Sequence, residues 1–338
     1  LATALPPHRF SQEEARRAAA ETLARDHPEL ERLLPLFGNA GVTQRWSARP
    51  LDWHAAAPSF AVRNAAFLEA ADDLLRTAAR RALARAGLDA ADVDHVVTVC
   101  STGIATPSLE ARLAERLRLR ADAVRTPIFG LGCGGGVMGL GRAAALARAE
   151  PGCHVLLLVV ELCTLALRLG DRSPANLVAC ALFGDGAGAV VIGTAGVGPA
   201  LRATGEHRWA DTLDVMGWRI EDDGLGVLFS VRVPEIVRAR MGAATEAFLA
   251  RHGLAVRDID RWISHPGGAK VVRALEQALD LPADALEDAR AVLRDCGNMS
   301  AASVLFVLER ALATPSWRRG LMTAMGPGFS ASFALLER

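Results

Sequence analysis

Short apolar runs alternate along this chain with longer stretches of helical periodicity, and that alternation predicts a layered α/β protein. Apolar runs at 94–100, near 125–130, at 154–160 and near 187–193 read as strands, the one at 154–160 as a buried strand. The segments 11–34, 65–87, 107–118 and 135–150 carry apolar residues at three- and four-residue spacing and read as helices. The second half continues the pattern, with helices expected at 234–253, 267–280, 286–294 and 299–313 and strands at 261–264, 320–325 and 329–336. Two Gly-rich turns feed apolar strands, ALFGDGAGAVVIG in the first half and AMGPGFSASFALLER at the end, which suggests an internal duplication. No Pro-, Ser- or Gly-rich stretch is long enough to be a flexible linker, so two pseudo-repeated α/β halves packed about shared central helices are expected.

Composition narrows the class. The chain has 338 residues, 51% of them hydrophobic and 22% charged, the balance of a compact globule with a large core. Acidic and basic residues stand at 38 each, so bulk charge suggests no nucleic-acid partner. The apolar run at 153–160 is far shorter than the roughly 20 residues of a membrane helix, and no signal peptide is read at the N-terminus. The six cysteines are scattered without CxxC pairs, which argues against a disulfide framework or a zinc site and for a reducing cytosol.

The candidate chemistry begins at Cys133. In RTPIFGLGCGGGVMGLGRAAALARA an apolar strand reaches a cysteine amid glycines and passes straight into an Ala-rich helix. The glycines between Gly130 and Gly136 allow a sharp turn and leave room for a substrate against the main chain. A helix starting just after the sulfur points its free N–H groups and positive dipole end at it, so a thiolate nucleophile is expected. RWISHPGG places His265 at the end of a short strand, where ligands gather in α/β proteins. CGNMSAAS puts Asn298 ahead of a helix, where its oxygen suits an N-cap and its amide suits donation to a substrate oxygen. A Cys/His/Asn set serves carbon–carbon bond formation on thioesters, and equally papain-like hydrolysis.

The segments GLGCGGGVMGL, ALFGDGAGAVV, WISHPGG, CGNMSAASVLFVLE and MGPGFSASFALL, in this order, resemble the type III polyketide synthases of the thiolase superfamily. The resemblance runs from about Cys100 to the C-terminus. It implies a five-layer αβαβα thiolase-like fold in two halves, 1–203 with the nucleophile and 204–338 with the histidine and asparagine. It further implies that Cys133 accepts the acyl group, that His265 is its base and ion-pair partner, and that Asn298 is the co-donor to the thioester oxygen. Phe183 resembles the gatekeeper between the CoA tunnel and the reaction cavity. The second gatekeeper position falls on Val227, with Phe229 two residues on, which implies a wider neck.

Ser101, Cys163, Ala166 and Ser300 would line the cavity, their small side chains leaving volume for a long starter. Arg45 is the one cation in the segment similar to the family's CoA-phosphate grip. TPIFGLGC, VELCTLALR and MGPGFSASF resemble the bacterial alkylpyrone and alkylresorcinol synthases more than the plant or naphthalene-forming enzymes. The implied reaction is decarboxylative Claisen condensation of malonyl-CoA onto a long-chain acyl-CoA starter, then cyclisation, in a cytoplasmic homodimer without metal, flavin or nicotinamide cofactor. A ketoacyl synthase III shares the triad but typically has glutamine after its histidine, where this chain has Pro266. Release of free CoA and CO₂ would separate condensation from a non-catalytic acyl-binding homologue.

Overall fold

The computed structural model describes residues 1–196 and 198–338. Two sheets form its skeleton. The first runs in the spatial order Ala2–Ala4, Asp185–Ile192, Val155–Leu162, His95–Cys100, Val124–Phe129. Strand Val155–Leu162 lies at its centre, parallel to His95–Cys100 and antiparallel to Asp185–Ile192, with all eight of its positions buried. That burial on both faces is why its sequence is an unbroken apolar run rather than an alternation. The second sheet runs in the order Arg261–Ser264, Arg319–Gly326, Ser330–Glu337, Ala200–Arg208.

Helices Gly135–Ala149 and Ser300–Ala313 lie between the sheets and touch both. Phe60–Ala86 and Leu109–Leu117 cover the outer face of the first sheet, and Val233–Ala250 with Ala269–Leu279 covers that of the second. The result is the five-layer thiolase-like order. In both halves a central helix leads into a buried strand, which then pairs with an antiparallel one: 135–149, 155–162, 185–192 against 300–313, 319–326, 330–337. The two Gly-rich turns seen in the sequence feed the last strand of each set.

Several elements differ from expectation. The long helix over 11–34 is Gln12–Glu21 followed by two short turns, with His27 held out of the helical region ahead of Pro28. Helix Pro174–Leu182, strand Ala200–Arg208 and the hairpins His8–Ser11/Gln44–Ser47 and Met216–Glu221/Gly224–Phe229 were not expected. The division at 203/204 falls inside strand 200–208, which pairs with the second sheet on both sides of that point. Among the described residues no helix is long and apolar enough to cross a membrane.

Candidate active site

Cys133 sits in a single 3₁₀ turn, Gly132–Gly134, at the entry of helix Gly135–Ala149. Gly132 has φ +48°, and a Cβ there would lie 2.6 Å from Pro327 Cδ, so both its backbone conformation and its neighbour require glycine. The turn is thereby pressed against the Gly326–Pro327–Gly328 segment that ends strand Arg319–Gly326. That same strand holds His265, whose amide donates to Thr323 O at 2.8 Å just beyond the parallel pairing with Arg261–Ser264. One strand therefore positions both the cysteine turn and the histidine.

Asn298 is fixed by the first half of the chain. Its amide donates to Leu182 O at 2.8 Å and its carbonyl accepts from Gly184 N at 3.0 Å, straddling Phe183. Its side-chain oxygen accepts from Ser300 N at 2.8 Å, a turn ahead of the helix, whose N-cap residue is Met299 and not the asparagine the sequence suggested. With the oxygen so engaged, the Nδ2 donor is left to face Gly267 O, at 3.4 Å, and the Cys133 sulfur. The oxygen of this side-chain amide thus serves the helix entry while its nitrogen faces the site. Ser300, with φ +45° in the left-handed region, turns its hydroxyl toward both Cys133 and the buried Glu161.

The electrostatics run against a resting thiolate. Burial pushes the Cys133 thiol up to about 12, aided by the charge of Glu161, while Ser300 and Asn298 pull the other way. Burial likewise pushes His265 down to about 3, and neither of its ring nitrogens has a hydrogen-bond partner. Desolvation of this kind opposes the pull of the helix end toward thiolate, a dipole contribution of at most about 2 kcal/mol.

Of the expected cavity residues, Ser101 accepts from Gly132 N at 3.0 Å, and Cys163 lies close enough to Cys133 and Glu161 for their charges to raise its thiol further. Ala166 is buried at the other end of the turn Cys163–Ala166. Phe183 is half-buried. Val227 is buried directly opposite Trp218 in the hairpin register, on the same face as Phe229.

Trp218 was not anticipated. Its indole N–H donates to Ser101 O at 2.7 Å, so an aromatic reaches the site from the strand facing Val227, and a small residue at 227 does not by itself widen the neck. The alternation Met216, Trp218, Ile220 was a signal for this strand.

Arg45 is corrected as well. It is 1% exposed, and its guanidinium donates to Cys180 O at 2.6 Å, Ala181 O at 2.9 Å, Phe183 O at 3.0 Å and the Gln12 side chain. The charge caps the C-terminal carbonyls of helix Pro174–Leu182 and offers nothing to a phosphate at the surface.

Glu161 is fully buried behind the site, accepting from Ser101 N at 3.0 Å and Thr102 Oγ1 at 2.8 Å. Ser300 and Ala301 approach from the helix side, yet one carboxyl oxygen keeps no hydrogen-bond partner and burial raises the group from 4.5 to about 7. The folded state holds this proton more tightly than the unfolded chain. Its contribution to stability is therefore full below pH 4.5 and is lost as pH rises through about 7. That loss is on the order of 3 kcal/mol. Urea unfolding across this window should show Glu161→Gln falling much less steeply than the wild type, with buried Asp185, raised to about 6, supplying the slope that remains. Equal slopes would mean that Glu161 is ionised throughout.

The comparisons with known proteins agree with this geometry. Residues 48–196 match the chalcone and stilbene synthases, N-terminal domain, and residues 206–336 match their C-terminal domain. A 1,3,6,8-tetrahydroxynaphthalene synthase of Streptomyces peucetius subsp. caesius is 45% identical, over 99% of this chain and 91% of its own. A putative chalcone synthase of Bacillus subtilis is 33% identical over 100% of this chain and 97% of its own. The crystal structure of 1,3,6,8-tetrahydroxynaphthalene synthase from Streptomyces coelicolor A3(2), a bacterial type III polyketide synthase, superposes with a TM-score of 0.95 at 30% identity, covering 99% of this chain and 97% of that one. With both halves matched and the cysteine, histidine and asparagine motifs gathered by one strand and one bridge, the chain belongs to the chalcone and stilbene synthase family and is a type III polyketide synthase.

Proposed function

We propose that this enzyme condenses malonyl units alone and closes the product to 1,3,6,8-tetrahydroxynaphthalene or a similar polyhydroxylated aromatic. The observation that carries the reading is Trp218, whose indole donates to the backbone carbonyl of Ser101, the residue whose hydroxyl accepts from the Gly132 amide next to Cys133; a bulky aromatic on that residue is our reason for expecting little room for a long acyl chain. The Streptomyces peucetius relative, named for that product, supports it.

In the proposed mechanism the Cys133 thiol passes its proton to His265 as sulfur attacks the acyl-CoA carbonyl, and CoA leaves as the thiol. Because each group alone is strongly disfavoured as an ion, the pair charges together and only when a substrate is present. Malonyl-CoA then loses CO₂, and its enolate oxygen accepts hydrogen bonds from Asn298 Nδ2–H and His265. Each such donor contributes about 3 kcal/mol to lowering the barrier. The enolate carbon attacks the Cys133 thioester, forming the new carbon–carbon bond and expelling the thiolate, ready for the next round. No metal, flavin or nicotinamide enters any step.

The small side chains at Ser101, Cys163, Ala166 and Ser300 favour a second reading, a long-chain acyl-CoA starter cyclised to an alkylpyrone or alkylresorcinol. Mass spectrometry of products from malonyl-CoA alone, and with acyl-CoAs of graded length, decides between them. Tetrahydroxynaphthalene from malonyl-CoA alone is expected, with Trp218→Ala gaining longer starters. Alkylated products from the wild type and none from malonyl-CoA alone would overturn the first reading in favour of the second.

A cytosolic homodimer is part of the proposal. Strand Val124–Phe129 is paired on one side only and leaves Phe129 58% and Val124 53% exposed, an apolar edge suited to a second copy. The same preparation should then sediment at twice 35.7 kDa. All six cysteines are free, in keeping with a reducing compartment.

A further inference from the structure

Helix Gly135–Ala149 leads away from the cysteine turn, and at 1.5 Å per residue its far end lies about 22 Å from it. There the chain turns through Glu150, Pro151, Gly152 and Cys153, with the Cys153 amide donating to Glu150 O at 3.1 Å. Gly152, at φ +96°, supplies the left-handed step, and its amide donates to Thr194 Oγ1 at 3.2 Å. The turn carries a carboxylate and a free thiol to the start of strand His95–Cys100, where His95 Nε2 lies 3.0 Å from Glu150 Oε2. One ligand atom each from His95, Glu150 and Cys153 falls within 4.8 Å of the other two. Among the described residues no other group of three His, Cys, Asp or Glu side chains gathers in this way.

Imidazole nitrogen, thiolate sulfur and carboxylate oxygen together suit Zn²⁺, whereas Mg²⁺ and Ca²⁺ ask for oxygen throughout. At zinc bond lengths of about 2.0–2.3 Å, tetrahedral ligands stand roughly 3.4–3.6 Å apart. A group already inside 4.8 Å closes to that spacing by side-chain rotation. His95 and Cys153 are buried, while the Glu150 side chain is 63% exposed and leaves water a way to a fourth position. The group stands at a helix C-terminus, whose negative dipole end favours a cation. Asp94, next in the chain to His95, is already engaged, accepting from Arg120 Nη1 at 2.6 Å and from the His154 amide at 2.7 Å. The absence of a CxxC pair argued against zinc in the sequence. The short-range pair is instead Glu150 with Cys153, and the histidine comes from 55 positions before the glutamate.

We propose that His95, Glu150 and Cys153 bind one Zn²⁺ ion, with a water completing the tetrahedron. The ion takes the Nε2 lone pair of His95, whose ring proton then stands on Nδ1, and it replaces the thiol proton of Cys153, which passes to solvent. Bound there, it ties the end of the central helix and the entry to strand Val155–Leu162 to strand His95–Cys100. The ion stabilises the fold and takes no part in condensation, so the proposal is independent of the starter or product at Cys133.

The test uses the full chain, stripped of metal with a chelator and dialysed, then titrated calorimetrically with zinc chloride. One equivalent per chain should bind with a Kd of about 1 μM or tighter, and magnesium chloride should not bind at this site. At a hundredfold excess of free zinc over Kd the melting temperature should rise by about 4 °C. Cobalt(II) in place of zinc should show the sulfur-to-metal charge-transfer absorption of a bound thiolate. Cys153→Ser should abolish that absorption and weaken zinc at least about 100-fold, and Glu150→Gln should weaken it about tenfold. Cys133→Ala should leave both signals unchanged. Circular dichroism of the metal-free variants excludes unfolding as the cause, and Glu150→Gln alters only an exposed side chain. Zinc binding weaker than about 100 μM, a cobalt absorption that survives Cys153→Ser or is lost in Cys133→Ala, or an affinity that Glu150→Gln leaves unaltered overturns the proposal.

Discussion

Cys133→Ala is expected to reduce polyketide formation by a factor of about 10³ or more, because the acyl chain then has no covalent anchor between rounds. The defect belongs to chemistry rather than folding. The side chain lost is small, and the turn that carries it is held by Ser101, Pro327 and the helix behind it. Intact-protein mass spectrometry after brief exposure to substrate should show an acyl adduct on the wild type and none on the variant, while both melt within about 2 °C of each other. An adduct that persists in the variant would move the nucleophile to another thiol. Cys163 is the near neighbour, but it is 1% exposed and burial holds its thiol far above the ordinary range, which argues against it as a nucleophile.

Gly136→Ala should be strongly damaging although it adds only a methyl group to the core. A Cβ at 136 would drive into the carbonyl oxygen of Ala301 and lie 2.6 Å from Val304 Cγ1, and backbone cannot swing aside as a long side chain would. The two central helices must separate, at a cost of about 3 kcal/mol. A melting temperature roughly 5 °C or more below wild type is expected. Activity should fall further than stability does. Ala301 follows Ser300, whose hydroxyl reaches Cys133, so separation of the helices misplaces the donors around the sulfur by a fraction of an ångström. Gly38→Ala, where an added methyl meets nothing within 4 Å, is the control and should be silent. Equal melting of Gly136→Ala and Gly38→Ala would show that the helices yield without cost.

What the sequence disclosed follows from which forces act locally. Strand Val155–Leu162 is buried at every position and reads as an unbroken apolar run, so it was legible. Strand Ala200–Arg208 was not, because it alternates between half-buried and exposed and carries Arg202, Glu206, His207 and Arg208 on a sheet edge. Helix Pro174–Leu182 is so short and apolar that periodicity has little to grip.

The site shows the same division. Cys133, His265 and Asn298 stand at strand ends and helix starts, where local turn chemistry marks them. Arg45 looked like a phosphate ligand because a lone arginine carries no mark of its surroundings. The carbonyls that occupy it, those of Cys180, Ala181 and Phe183, lie more than a hundred residues away. The desolvation that acts on Cys133 was hidden for a kindred reason, since it is a property of the assembled core rather than of a neighbouring helix end.

Strand Arg319–Gly326 orders both the cysteine turn and the histidine, and it comes far later in the sequence than Cys133. On a ribosome the nucleophile and its helix therefore emerge long before the segment that shapes their surroundings. A nascent or C-terminally truncated chain would carry Cys133 without its completed pocket, and would hold no competent thiol to spend acyl-CoA on. Catalytic competence in this molecule therefore waits on an interior strand of the second sheet that is made after the nucleophile it serves.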